Sequence, residues 1–186
     1  MIAWGLILGL PLVAFGAVSA AKRELAQRFA VWFETERAVA IALTIWAWYW
    51  TAHELDMIGI DVFDMVTKAF PGELWILAGV LSYLTIIWMP KNLGVRALTA
   101  LLMLFPASLF RTTRLLLPES GVATVHVFVV FAYVCAVVGM YGMFYPWRLE
   151  KALAIVLGGP KYATRLFGVS LAAVGISLVI AGFLVK

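Results

Sequence analysis

Six stretches of this chain run for 14 to 28 residues without a charged side chain, and that spacing constrains the fold more than any other feature. They are residues 1–21, 38–53, 74–90, 97–110, 120–147 and 166–185. A helix crossing a bilayer needs roughly 20 mostly apolar residues at 1.5 Å rise each. Composition agrees with this reading, since 65% of the 186 residues are hydrophobic and 13% are charged. A soluble domain averages roughly 45–50% apolar and about 25% charged residues. So little polar surface cannot cover so much apolar mass in water, and a disordered chain would be poor in apolar residues. The expected fold class is therefore all-α, a polytopic membrane protein forming one integral membrane domain over residues 1–186. Six transmembrane helices in three hairpins are expected, near 1–21, 37–53, 73–90, 95–112, 121–146 and 163–185.

The spans are not equally secure. The first, fifth and sixth are long enough alone, whereas the second and third borrow a turn from their flanks. The fourth is weakest: 14 uncharged residues reach only about 21 Å as a helix. It crosses if Arg96 and Arg111 extend their charged heads to opposite interfaces, and Pro106 inside it favours a kink. Val18-Ser19-Ala20 would suit a signal peptidase, but no basic residue precedes the apolar stretch as a secretion signal requires. The first segment is thus read as a true span.

Lys and Arg alternate in density between successive loops. One side holds Lys22, Arg23, Arg28, Arg37, Lys91, Arg96, Arg148, Lys151, Lys161 and Arg165, and the other holds Lys68, Arg111, Arg114 and Lys186. The basic side should face the cytoplasm. That places both termini on the outer side of a bacterial-type inner membrane. The net charge of +4 is then a topology signal, and no nucleic-acid partner is expected. Trp46, Trp48, Tyr49, Trp50, Trp75 and Trp4 fall at the outer level and Trp88, Tyr145 and Trp147 at the inner one, as an interfacial aromatic belt would.

Three connections read as amphipathic helices lying in the interface. Over residues 22–36, Leu25, Phe29, Trp32 and Phe33 recur at helical spacing opposite Lys22, Arg23, Gln27 and Arg28. Over 57–70, Ile58, Val62, Phe63, Val66 and Phe70 oppose Asp61, Asp64 and Lys68. The third runs over 149–157. Such helices rest an apolar face among acyl chains.

Residues suited to chemistry are few. One cysteine, Cys135, excludes an internal disulfide and any cysteine-based metal cluster. His53 and His126 both fall near the outer interface, where neutral imidazoles can ligate a haem iron or bond a quinone. They are the candidate cofactor-binding pair, although nothing in the sequence brings them together, and each is also explained as an ordinary interfacial histidine. His53, Glu54, Asp56, Asp61 and Asp64 could offer oxygen ligands to a hard cation. Their spacing matches no calcium loop, so a solvated face or a docking patch is preferred, and no metal site is expected. Ser82, Ser108, Ser170 and Ser177 lie in apolar segments without a nucleophile motif. No charge falls in the middle third of a span, which disfavours an ion path.

Small residues are the more informative pattern. Gly5, Gly9 and Gly16 mark one face of the first span, and Gly168, Ala172 and Gly175 mark one face of the last. In lipid, small residues let backbones approach closely where no hydrophobic drive exists. These six are the expected helix-packing residues. The functional expectation is a non-catalytic integral membrane subunit that packs within a larger membrane complex, such as a bioenergetic one, with the bilayer and other membrane subunits as partners. The sequence requires no cofactor, though lipid, pigment, haem or quinone could be accommodated. Two alternatives stand beside it. One is a carrier or channel for a small neutral or apolar solute, lined by Thr44, Ser82, Thr85 or Thr99. The other is a haem- or quinone-binding redox subunit using His53 and His126.

Overall fold

The structure is a computed structural model and describes residues 2–58, 72–116, 122–158 and 160–184. Among the described residues there are eight helices and no strand. We number them α1 (Ile2–Ala21), α2 (Arg23–Thr35), α3 (Arg37–Ile58), α4 (Glu73–Trp88), α5 (Leu93–Leu116), α6 (Val122–Phe144), α7 (Pro146–Gly158) and α8 (Lys161–Leu184). An all-helical fold is what an apolar solvent demands, since each helix satisfies its own backbone hydrogen bonds.

Among the described residues, four helices are long and apolar enough to cross a membrane: α1, the Leu93–Arg111 part of α5, the Val125–Phe144 part of α6, and α8. The expected fourth span is among them, although its uncharged stretch looked too short. The helix begins before Arg96 and runs beyond Arg111, giving 19 residues of apolar helix, and it continues through Pro106. The expected second and third spans are not among the four. Helix α3 has 22 residues, but Trp46, Trp48, Tyr49, Trp50, His53, Glu54 and Asp56 dilute the hydropathy of its second half. Helix α4 has 16 residues, about 24 Å of rise.

The expected helices over 22–36 and 149–157 are present as α2 and α7. The latter starts earlier than expected because Pro146 occupies its first position, where proline's missing N–H costs nothing. The expected helix over 57–70 lies outside the described residues, apart from Met57 and Ile58, which end α3. Asn92 adopts φ 56 before α5, a left-handed conformation that asparagine tolerates. Gly72 at φ 102 opens α4, a conformation that L side chains rarely adopt.

The chain forms two compact units. The first comprises residues 1–32, 109–134 and 148–186, and its dominant contact is the antiparallel pairing of α1 with α8. The second comprises residues 33–108 and 135–147, and its dominant contact is α3 against α4.

Candidate functional site

In the first unit, glycines govern how α1 meets α8. A Cβ placed on Gly16 would lie 2.6 Å from both the Ala172 nitrogen and the Gly168 carbonyl oxygen. One on Gly9 would lie 2.6 Å from the Gly175 oxygen, and one on Gly5 2.8 Å from the Leu178 oxygen. From the other side, Gly168 faces the Ala20 nitrogen at 2.6 Å and Gly175 faces the Gly9 oxygen at 2.7 Å. No carbon atom fits at such distances, so the two backbones touch directly. All six packing candidates, Gly5, Gly9, Gly16, Gly168, Ala172 and Gly175, therefore lie along a single seam inside this chain. That seam leaves none of the six on an outward face for a partner helix. Ser19 in α1 is fully buried, and its hydroxyl finds no hydrogen-bond partner among the described residues.

The second unit is held by aromatic rings and hydroxyls. Trp48 donates its Nε1–H to Thr85 Oγ1 at 3.0 Å, and the Thr85 hydroxyl in turn donates to the Leu81 carbonyl at 2.7 Å. Tyr49 stacks on Trp75 with ring centroids 5.8 Å apart. Ala52, Leu74 and Ala78 fill the space beneath, with Trp48 packed against them. Among the described residues, an added Cβ at Gly79 would meet only the Tyr49 hydroxyl, at 3.6 Å. Helix α6 contributes one tight contact of its own, where a Cβ on Gly139 would lie 2.8 Å from the Thr99 oxygen and 2.7 Å from the Met103 Cγ.

Glu54 is the polar residue that sequence reasoning misplaced. The grouping with the outer-loop acids put it on a wet surface, yet only 3% of it is exposed. Ser108 donates to its Oε1 in a short hydrogen bond, and Trp50 Nε1 lies 3.1 Å from the same oxygen and 3.3 Å from Ser108 Oγ. The carboxylate thus ties α3 to α5. Its Trp50 partner, one helical turn away, was the available sequence signal, because residues four apart share a helix face. Its neighbours His53 and Asp56 are exposed, while Asp61 and Asp64 lie outside the described residues. The acids of that region therefore do not form one uniform face.

His53 belongs to the second unit and His126 to the first, and both are exposed. Cys135 is a buried free thiol in α6. Among the described residues, no three His, Cys, Asp or Glu side chains gather as a metal site would require. The hydroxyls that could line a solute path are directed at their own helices. Thr44 donates to the Ala40 carbonyl at 2.8 Å, Ser82 to Ala78 at 2.6 Å and Thr99 to Arg96 at 2.9 Å. That is the usual state of a hydroxyl in a membrane helix.

The outward surface is apolar and aromatic. On α4, Ile76 is 69% exposed, Tyr83 64% and Trp88 75%. Val80 and Ile87 share that face at helical spacing. No family model, no curated protein and no solved structure matches this chain.

Proposed function

We propose that this chain is a non-catalytic integral membrane subunit that packs within a larger membrane complex. In this reading six helices cross a bacterial-type inner membrane, both termini face outward, and α2 and α7 lie along the inner interface. The supporting observation is the uncovered face of α4. This helix rises only about 24 Å against a hydrocarbon core of ~30 Å. A short span is accommodated by local thinning, by flanking side chains that reach the interface, or by association with other helices. A continuous face of Ile76, Val80, Tyr83 and Ile87, ending in Trp88, suits association. The small-residue faces of α1 and α8 are already occupied by each other. A partner would therefore meet large side chains on α4.

The test uses photo-crosslinking residues placed at Ile76 and Tyr83 in membranes of the native host. A discrete protein adduct at both positions is expected. Lipid adducts alone would overturn the reading.

A further inference from the structure

The first unit contains a cleft of about 560 Å³ where the end of α1, the start of α2 and the start of α8 converge. Its size lies within the range of small-molecule sites, roughly 300–1,000 Å³. Four cations line it: Lys22 and Arg28 from the α1–α2 corner, and Lys161 and Arg165 from the first turns of α8. Among the described residues that line it, Glu24 is the single carboxylate, leaving a formal excess of three positive charges. The two pairs are at least 133 positions apart in sequence (Arg28 to Lys161), so only the fold assembles them.

Local electrostatics favour an anion further. The N-termini of α2 and α8 both open at this corner. Helix N-termini carry partial positive charge and unsatisfied N–H groups. The α1 C-terminus brings opposing carbonyls, one of which is capped by the Lys22 N–H to Val18 oxygen at 2.7 Å. The walls are also fixed in place. Gln27 Nε2 in α2 donates to the Leu157 carbonyl of α7 at 2.9 Å, and Thr164 Oγ1 in α8 donates to Val156 of α7 at 2.9 Å. The last carbonyls of α7 thus hold the two cationic helices at a set separation.

Apolar surface continues from the cleft. Leu25 lines it and shares a helix face with Phe29 and Trp32, all three about half exposed. Phe29 packs on Phe15 of α1 with ring centroids 5.6 Å apart. Phe15 lies six residues inside the apolar α1, about 9 Å along its axis. The apolar face of α2 is therefore tied to the part of α1 that faces acyl chains. A free anion would use only the cations, whereas a phospholipid would use both surfaces.

We propose that this corner binds the anionic headgroup of a membrane phospholipid, with the acyl chains lying along Leu25, Phe29 and Trp32. Basic pockets between membrane helices on the cytoplasmic side suit such headgroups. The proposal rests on the membrane reading and is independent of any protein partner.

The test uses the full chain in a neutral maltoside detergent, read by native mass spectrometry and by the shift in Tm. Phosphatidylglycerol, phosphatidylcholine and inorganic phosphate are the probes. Phosphatidylglycerol should be retained at one molecule per chain and raise Tm, while the other two do neither at equal concentration. The double variant R28Q/R165Q should weaken phosphatidylglycerol binding roughly 30-fold, at about fivefold per cation removed. K22Q/K161Q should do the same, which keeps the test valid if the first variant fails to fold. K91Q/K151Q removes equal charge outside the cleft and should leave binding unchanged. Equal weakening by K91Q/K151Q, or an equal Tm shift from phosphatidylcholine or inorganic phosphate, would overturn the proposal. A chain shown to be monomeric that still retains phosphatidylglycerol would end the subunit reading and leave this one standing.

Discussion

Helices α1 and α8 meet backbone to backbone, whereas α3 and α4 meet ring to hydroxyl. In the first pair, Gly16 has room for nothing beyond its hydrogen, because backbone atoms of α8 lie 2.6 Å from where a Cβ would be. In the second, Gly79 has ordinary space before the Tyr49 hydroxyl, and the contact is made by Trp48, Thr85, Tyr49 and Trp75. The two pairs solve one problem by different physics. In lipid no hydrophobic drive joins helices, so either close van der Waals contact or hydrogen bonds must do it. The first route tolerates no added atom, and the second tolerates loss of atoms at moderate cost.

Five substitutions at four positions sharpen that contrast, taken from the position of largest expected effect to the smallest. Gly16→Ala should destabilise by about 3 kcal/mol, the upper range for overpacking, because the atoms it meets are backbone and cannot rotate away. Thermal unfolding in detergent measures this, and a neutral Gly16→Ala would contradict the close contact of α1 with α8. Glu54→Leu should cost about 2 kcal/mol, since it strips the Ser108 hydroxyl of its carboxylate acceptor and leaves the Trp50 N–H only its longer 3.3 Å bond to Ser108 Oγ. Glu54→Gln, which keeps an acceptor oxygen, should recover much of that loss in the same assay. Trp48→Phe removes one donor to Thr85 while keeping most of the ring, and should cost about 1 kcal/mol. Gly79→Ala should carry the opposite sign to Gly16→Ala. Helix propensity favours alanine by at most about 1 kcal/mol, and no described residue crowds the new methyl. The same Gly→Ala change thus separates the two interfaces by sign.

The first pair was the more legible in sequence. Small residues on matching faces of the first and last spans announce close packing, because only residues without bulk permit it. What the spacing cannot show is whether that face meets a helix of the same chain or of another. The structure places Gly168, Ala172 and Gly175 opposite Gly16 and Gly9 of this chain. The second pair was less legible, because Trp48 and Thr85 are 37 positions apart and nothing local links them. Glu54 was misread for a related reason. Charge gaps define spans by the first charged residue, but a carboxylate with two donors can stay buried within the helix. The span over 97–110 was underrated by the same rule, since Arg96 and Arg111 sit within helix α5 and do not end it. The cationic cleft was hidden because its two halves lie at opposite ends of the chain. There Lys22, Arg28, Lys161 and Arg165 read only as a topology signal.

The exposed faces bear on function through the same contrast. One pair closes its small-residue face on itself, and the other leaves Ile76, Tyr83 and Trp88 uncovered. If the protein is a subunit, the partner's contact belongs on α4. The most direct measurement is the native mass and composition of the affinity-purified protein in a mild detergent. The account predicts a stable assembly containing other membrane proteins. A particle of one 20.5 kDa chain with its detergent and lipid would contradict it.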